Sequence, residues 1–98
     1  MTEPVVSVIC TVYNKENFLP KTLDSLLEQK TSFSFEVIII DDASTDHSRN
    51  IIEEYQTRYP ELIRTFYNEE NLGIALTWKR VCQEARGKYI ARCDGDDI

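Results

Sequence analysis

Two stretches of this chain are apolar at almost every position rather than at every second one, and that constrains its fold more than any other feature. Residues 5–12 read Val-Val-Ser-Val-Ile-Cys-Thr-Val and residues 35–40 read Phe-Glu-Val-Ile-Ile-Ile. A strand with one wet face alternates apolar and polar; an unbroken β-branched run suits a strand covered on both faces, as in a parallel sheet. Parallel neighbours need a crossover between them, usually a helix. The intervening sequence supplies one, with Leu19, Leu23, Leu26 and Leu27 on one helix face, Asn17 placed to cap it and Pro20 tolerable in its first turn.

The same alternation continues along the chain. Ser48, Ile51, Ile52, Tyr55 and Tyr59 mark one side of a second helix that Pro60 stops. Residues 62–67 make a third strand, less apolar and therefore expected near a sheet edge, and residues 68–73 a loop. Ile74, Trp78, Val81, Cys82 and Ala85 mark a third helix, with Gly87 where a C-terminal cap glycine belongs. A last strand over residues 89–93 delivers Asp94-Gly95-Asp96-Asp97. The β-α-β-α-β-α-β order predicts an α/β fold, a Rossmann-like open parallel sheet with helices on both faces. At 98 residues there is room for a single domain over residues 1–98, and the abrupt end after the aspartates reads as a truncated domain.

Charge excludes several function classes. With 11 Lys and Arg against 17 Asp and Glu, the net charge of −6 argues against nucleic acid or an anionic membrane surface as partner. No apolar run approaches the roughly 20 residues of a membrane span, and residues 1–4 lack the start of a signal peptide, so the expected location is cytoplasmic. Cys10, Cys82 and Cys93 are too far apart for a CxxC metal site and read as buried small side chains. His47 has no ligand partner at metal spacing and reads as a surface residue; Trp78 falls on an apolar helix stripe and reads as core.

In open α/β sheets, ligands bind outside the carboxyl ends of the strands, where strand order reverses. Thr11, Tyr13 and Asn14 follow the first strand, Asp41 and Asp42 the second, Asn71 and Gly73 lie in the loop after the third, and Asp94, Asp96 and Asp97 follow the fourth. Three carboxylates within four residues repel one another unless a cation lies among them, and hard oxygen ligands suit Mg²⁺ or Mn²⁺. Without those five acids the chain is nearly neutral. Asp46 reads as a helix cap, whereas Asp42 suits a ligand role, accepting from a nucleobase N–H or ribose hydroxyls. Neither GxGxxG nor GxxxxGK[ST] occurs, so phosphates must be held by another means, for which a metal is available.

Val6-Ser7-Val8-Ile9-Cys10-Thr11-Val12-Tyr13-Asn14, Val37 through Asp46, Asn71-Leu72-Gly73, and Ala85-Arg86-Gly87-Lys88-Tyr89-Ile90 leading to Asp94-Gly95-Asp96-Asp97 together resemble the N-terminal half of a family 2 glycosyltransferase of the GT-A fold. The resemblance implies metal-dependent, inverting transfer of a sugar from a uridine or thymidine diphosphate donor to a glycan or other hydroxyl acceptor, an activity of hexosyltransferase type in polysaccharide biosynthesis. It implies that Thr11, Tyr13, Asp42 and Asp94 bind the nucleotide and that Asp94 and Asp96 form the DxD pair holding Mn²⁺ or Mg²⁺. Asp41, Gly73, Lys79 and Asp97 are further donor contacts in this reading, Lys79 because Trp78 takes the register where family members often carry Arg. The general base and acceptor region would lie beyond Ile98, leaving a donor-binding piece inactive alone, in a longer protein at the inner face of the membrane. The truncated sheet edge suggests a homo-oligomer. Two other classes compete: a non-catalytic nucleotide and Mg²⁺-binding regulatory module, and a receiver-type domain, which the residues Thr11-Val12-Tyr13-Asn14 disfavour because it needs acids there.

Overall fold

The computed structural model describes residues 4–28, 34–87 and 89–94, with the side chains of Ile74, Arg92, Cys93 and Asp94 outside the described set. Gly95, Asp96 and Asp97 also lie outside it. Strands β1 (Val6–Val12), β2 (Phe35–Asp41), β3 (Ile63–Tyr67) and β4 (Tyr89–Asp94) alternate with helices α1 (Leu19–Glu28), α2 (Ser48–Arg58) and α3 (Ile74–Cys82). The strands form one sheet in the order β3-β2-β1-β4, every pair parallel. The expected α/β architecture is therefore present, and β3 lies at an edge, as its weaker apolarity suggested.

The two continuous apolar runs occupy the sheet centre and feed two cores. Cys10, Val12, Val37, Ile39 and Ile63 pack beneath Leu19 and Leu23 of α1 and Ile52 and Tyr55 of α2. On the opposite face Ile9, Ile38 and Ile40 pack with Val81 of α3, and Trp78, Cys82 and Ala85 of the third helical stretch lie against them. Successive residues of β2 thus serve alternate cores, which is why the strand tolerates no polar alternation. Burial of each such side chain contributes roughly 1.5–3 kcal/mol. The core roles expected of Trp78 and Cys10 hold. A hydrogen bond of 2.7 Å from the Tyr55 hydroxyl to Asp24 Oδ1 ties α2 to α1, and burial followed by the Asp24 charge pushes the phenol up to about 12.

Two local expectations need correction. Helix α3 ends at Cys82, five positions before Gly87, and Gly87 has no positive φ, so it is not the cap of that helix. Its reason is space: a Cβ there would stand 2.6 Å from the Ser7 amide nitrogen and 2.8 Å from Ser7 Oγ, closer than atoms can approach. The glycine that does need its backbone freedom is Gly73, at the N-cap of α3 with φ 85° and ψ 163°.

Candidate functional site

Strand order grows from β1 through β2 to β3 on one side, and β4 lies on the other side of β1. The reversal point therefore falls between the carboxyl ends of β1 and β4, where Thr11 pairs with Asp94. On its other side Thr11 pairs with Ile40, one residue before Asp41. The parallel sheet thus brings Thr11, Asp41, Asp42 and Asp94 to one edge. Tyr13 follows at that edge and is 45% exposed, available to a ligand.

Asp41 and Asp42, adjacent in sequence, are used differently. Asp41 is buried; its Oδ2 accepts from the Ser44 amide at 3.0 Å, while its Oδ1 is buried and has no hydrogen-bond partner. Such an atom costs roughly 1–3 kcal/mol unless something not yet counted meets it. Asp42 is nearly saturated from within. Its Oδ1 accepts from Asn68 Nδ2 and the Leu72 amide, both at 2.8 Å, and its Oδ2 from the Gly73 amide at 3.0 Å. Burial works to raise its pKa, yet these bonds, led by Leu72 and Asn68 and joined by the Thr77 hydroxyl, outweigh it and hold the group below its ordinary 3.8. One carboxylate therefore fixes the loop over residues 68–73 and the start of α3.

The network continues past Asp42. Asn68, itself buried, donates to Thr77 Oγ1 at 3.1 Å and accepts at its side-chain oxygen from Arg80. Arg80, with Tyr67, Asn68, Glu69, Glu70 and Leu72, lines an open cleft of about 630 Å³, within the range of small-molecule sites. Two carboxylates against one guanidinium make that cleft a poor host for bare phosphate and a better one for neutral polar groups. Lys79, the expected cationic contact of α3, is exposed on that helix, and Arg80 is the helix cation that joins the network. Sequence reasoning missed Asn68, Thr77 and Arg80 as site residues. A threonine on the apolar stripe between Ile74 and Val81 was the available signal, since a buried hydroxyl needs a partner.

The loops after β1 and β2 are stitched together. Asn14 takes φ 52°, and its Oδ1 accepts from the Thr45 amide at 2.8 Å and the Asp46 amide at 3.3 Å. Ser44 Oγ accepts from the Asn14 amide at 2.9 Å. Asp46, expected as the cap of α2, lies one residue before the N-cap position, which is His47, and serves the helix entry instead: its Oδ1 accepts from the Ser48 amide at 2.9 Å and its Oδ2 from the Glu16 amide at 3.2 Å. His47 is exposed and lies 3.1 Å from Glu16 Oε2, the surface position expected of it. Among the described residues no group of three or more His, Cys, Asp or Glu is placed to hold a metal. The acids expected to do so, Asp94 and Asp96 with Asp97 behind them, have their side chains outside that set.

Comparison with known proteins gives the edge a context. Rv1520 of Mycobacterium tuberculosis, an uncharacterized protein, is 45% identical over 92 residues, 94% of this chain and 27% of its own. TuaG of Bacillus subtilis, named for teichuronic acid biosynthesis glycosyltransferase activity, is 39% identical over 95 residues, 97% of this chain and 37% of its own. The chain thus spans roughly a quarter to a third of the relatives it matches. The mannosyltransferase PcManGT of Pyrobaculum calidifontis, in complex with GDP-Man and Mn²⁺, superposes with TM-score 0.85 at 26% identity over 98% of this chain and 28% of its own. S. aureus TarS with UDP-GlcNAc superposes with TM-score 0.81 at 32% identity, over 93% and 26% respectively. A family model described as glycosyl transferase family 2 matches residues 7–98. The fold is GT-A, and the chain belongs to glycosyl transferase family 2.

Proposed function

We propose that these residues form the donor-binding part of a metal-dependent, inverting glycosyltransferase that moves a sugar of hexose type from a nucleoside diphosphate to a hydroxyl of a growing glycan. The observation that carries the reading is the pairing of Thr11 with Asp94 at the strand-order reversal, with Asp41 and Asp42 ending the neighbouring strand. Support for the donor class comes from the solved relatives, one holding GDP-Man with Mn²⁺ and another UDP-GlcNAc.

In this reading Thr11 and Tyr13 border the base. Asp42, pinned by its inner hydrogen bonds, offers its remaining lone pair to a base N–H, and Asp41 Oδ1 and the Gly73 backbone supply further polar contacts. The acids fit a divalent ion by donor chemistry: Asp94 and Asp96, with Asp97 supporting, offer only hard carboxylate oxygens, which Mn²⁺ and Mg²⁺ prefer over softer ligands. When bound, such an ion supplies Lewis-acid charge stabilisation on the diphosphate leaving group. In this reading Asp94 orients the ribose side of the nucleotide, and Lys79, exposed on α3, is a further donor contact. The acceptor oxygen forms the new bond to the anomeric carbon as the bond to the diphosphate oxygen breaks, and its proton passes to a base. We place that base, and the acceptor site, in the part of the protein corresponding to the remaining length of the relatives, so that residues 1–98 alone bind donor without turnover. No helix among the described residues is long and apolar enough to cross a membrane; the reading has the protein act in the cytoplasm, at the inner membrane face.

Calorimetric titration with UDP-, dTDP- and GDP-sugars tests it. Saturable binding of at least one donor in the presence of Mn²⁺, lost on adding chelator, is the expected result. A folded sample that binds none of them, with or without Mn²⁺, overturns the reading.

A further inference from the structure

At the opposite edge of the sheet lies a third buried carboxylate, one with no place in the donor site. Glu36 sits in β2 among apolar neighbours and is 4% exposed. Its Oε2 accepts from Ser7 Oγ at 2.6 Å and from the Arg86 amide at 2.8 Å. Its Oε1 accepts from Arg64 Nη1 and Arg86 Nη2, each at 3.3 Å. Arg64 also donates to the Glu84 carbonyl at 2.7 Å. Ser7 Oγ in turn accepts from the Gly87 amide at 2.8 Å, and Gly87 has no Cβ to hold it away from β1. A single side chain therefore gathers β1, β2, β3 and the segment that leads from α3 into β4.

Strand β4 needs such an anchor. Strand register is normally set by which residues must be buried, and a slip of one residue turns every side chain to the other face. Among the described residues β4 hydrogen-bonds to β1 alone, and its first three residues are exposed, Tyr89 by 65% and Ile90 by 46%. Burial at that end supplies little register information. The fixed point is instead Gly87, held to Ser7, two residues before the strand begins, followed by the Tyr89 amide donating to the Val5 carbonyl at 3.0 Å. From there Asp94 arrives opposite Thr11 by counting along the strand.

We propose that Glu36, acting through Ser7, Arg86 and Gly87, is a positioning residue for the donor site, setting the register in which β4 lies on β1 and so where the acidic motif at its end emerges. The proposal rests on the donor reading for its functional consequence, while the register claim stands on the hydrogen bonds. It also accounts for a charged residue inside an otherwise unbroken apolar strand, and for a glycine where the helix it follows has already ended.

Backbone-resolved hydrogen exchange and interstrand proton contacts, on the wild-type chain and on Ser7→Ala and Glu36→Gln, test it together with Mn²⁺-dependent UDP binding. Ser7→Ala keeps the ion pairs of Glu36 with Arg64 and Arg86 and removes the hydroxyl that links Glu36 to the Gly87 amide, so it is informative even if Glu36→Gln does not fold. Expected in the variants are exchange at the β4 amides faster by about ten-fold or more, nearly unchanged protection across the β2–β3 pair, loss of the Thr11–Asp94 contact, and UDP binding weakened by about ten-fold. Uniform acceleration across the whole sheet, or unaltered β4 protection with the Thr11–Asp94 contact intact, would show an ordinary stabilising ion pair and overturn the proposal. If wild type binds none of the UDP-, dTDP- and GDP-sugars, the donor reading and the functional half of the proposal fall, and the exchange pattern still decides the register.

Discussion

At the scale of single residues, the carboxyl edge is held in backbone conformations that side chains rarely adopt. Asn14 with φ 52° suits its position, because asparagine tolerates the left-handed region and its amide oxygen is consumed by the facing loop. Ala43 with φ 63° has no such compensation. An alanine there costs about 1–2 kcal/mol, of which the extra chain entropy of a glycine would return part. Ala43→Gly is therefore expected to stabilise the chain by about 0.5–1 kcal/mol, a rise of a few degrees in Tm for a domain of this size. An unchanged or lower Tm in a thermal melt would mean that the Asp41–Ser44 turn relaxes without strain. The place of Asp41, Asp42 and Asp94 at strand ends was legible in the sequence, but the division of labour between Asp41 and Asp42 was not. It depends on amides of residues 72 and 73, some 30 positions away, and no local pattern announces that contact.

At the scale of elements, β2 is both a core strand and a splint. Its face toward α3 ends in a carboxylate at each end, with Glu36 gripping the exit from α3 and Asp42 the entry. Burial works to raise the pKa of Glu36, but hydrogen bonds from Ser7, the Arg86 amide and Arg64 outweigh it and leave the group below its ordinary 4.5. Asp42 lies below its ordinary 3.8. A carboxyl depressed in the folded state contributes stability that is complete above its unfolded pKa and is lost as pH falls through the folded one. The expected Tm profile is thus flat above about pH 5.5 and falls steeply below about 4.5, and Asp42→Asn should make that fall shallower. Thermal melts across this range check it, and equal slopes in the two proteins would remove Asp42 from the linkage. The elements themselves were readable because each depended on local periodicity. The end of α3 and the reason for Gly87 were not, since Gly87 answers to the approach of Ser7 from 80 residues away.

At the scale of the whole molecule, four short parallel strands place their chemistry by topology alone. Because β4 returns to the far side of β1, the two ends that meet at the reversal are Thr11 and Asp94, and the acids of β2 stand one strand further on. The unbroken apolar runs implied the parallel sheet, and the sheet implied a common edge; strand order itself needed the structure, as nothing in the sequence says on which side β4 will add. The central claim is that this edge binds a nucleotide through a divalent ion held by the acids that follow β4. The most direct measurement is the affinity of UDP for the wild-type chain and for Asp96→Ala, with Mn²⁺ and with chelator, alongside a circular dichroism spectrum of each. The account predicts Mn²⁺-dependent binding in wild type, weakened by about 100-fold or more in a variant whose spectrum is unchanged, because a direct carboxylate ligand would be gone. Equal affinity in the two proteins, or binding indifferent to chelator, would contradict it.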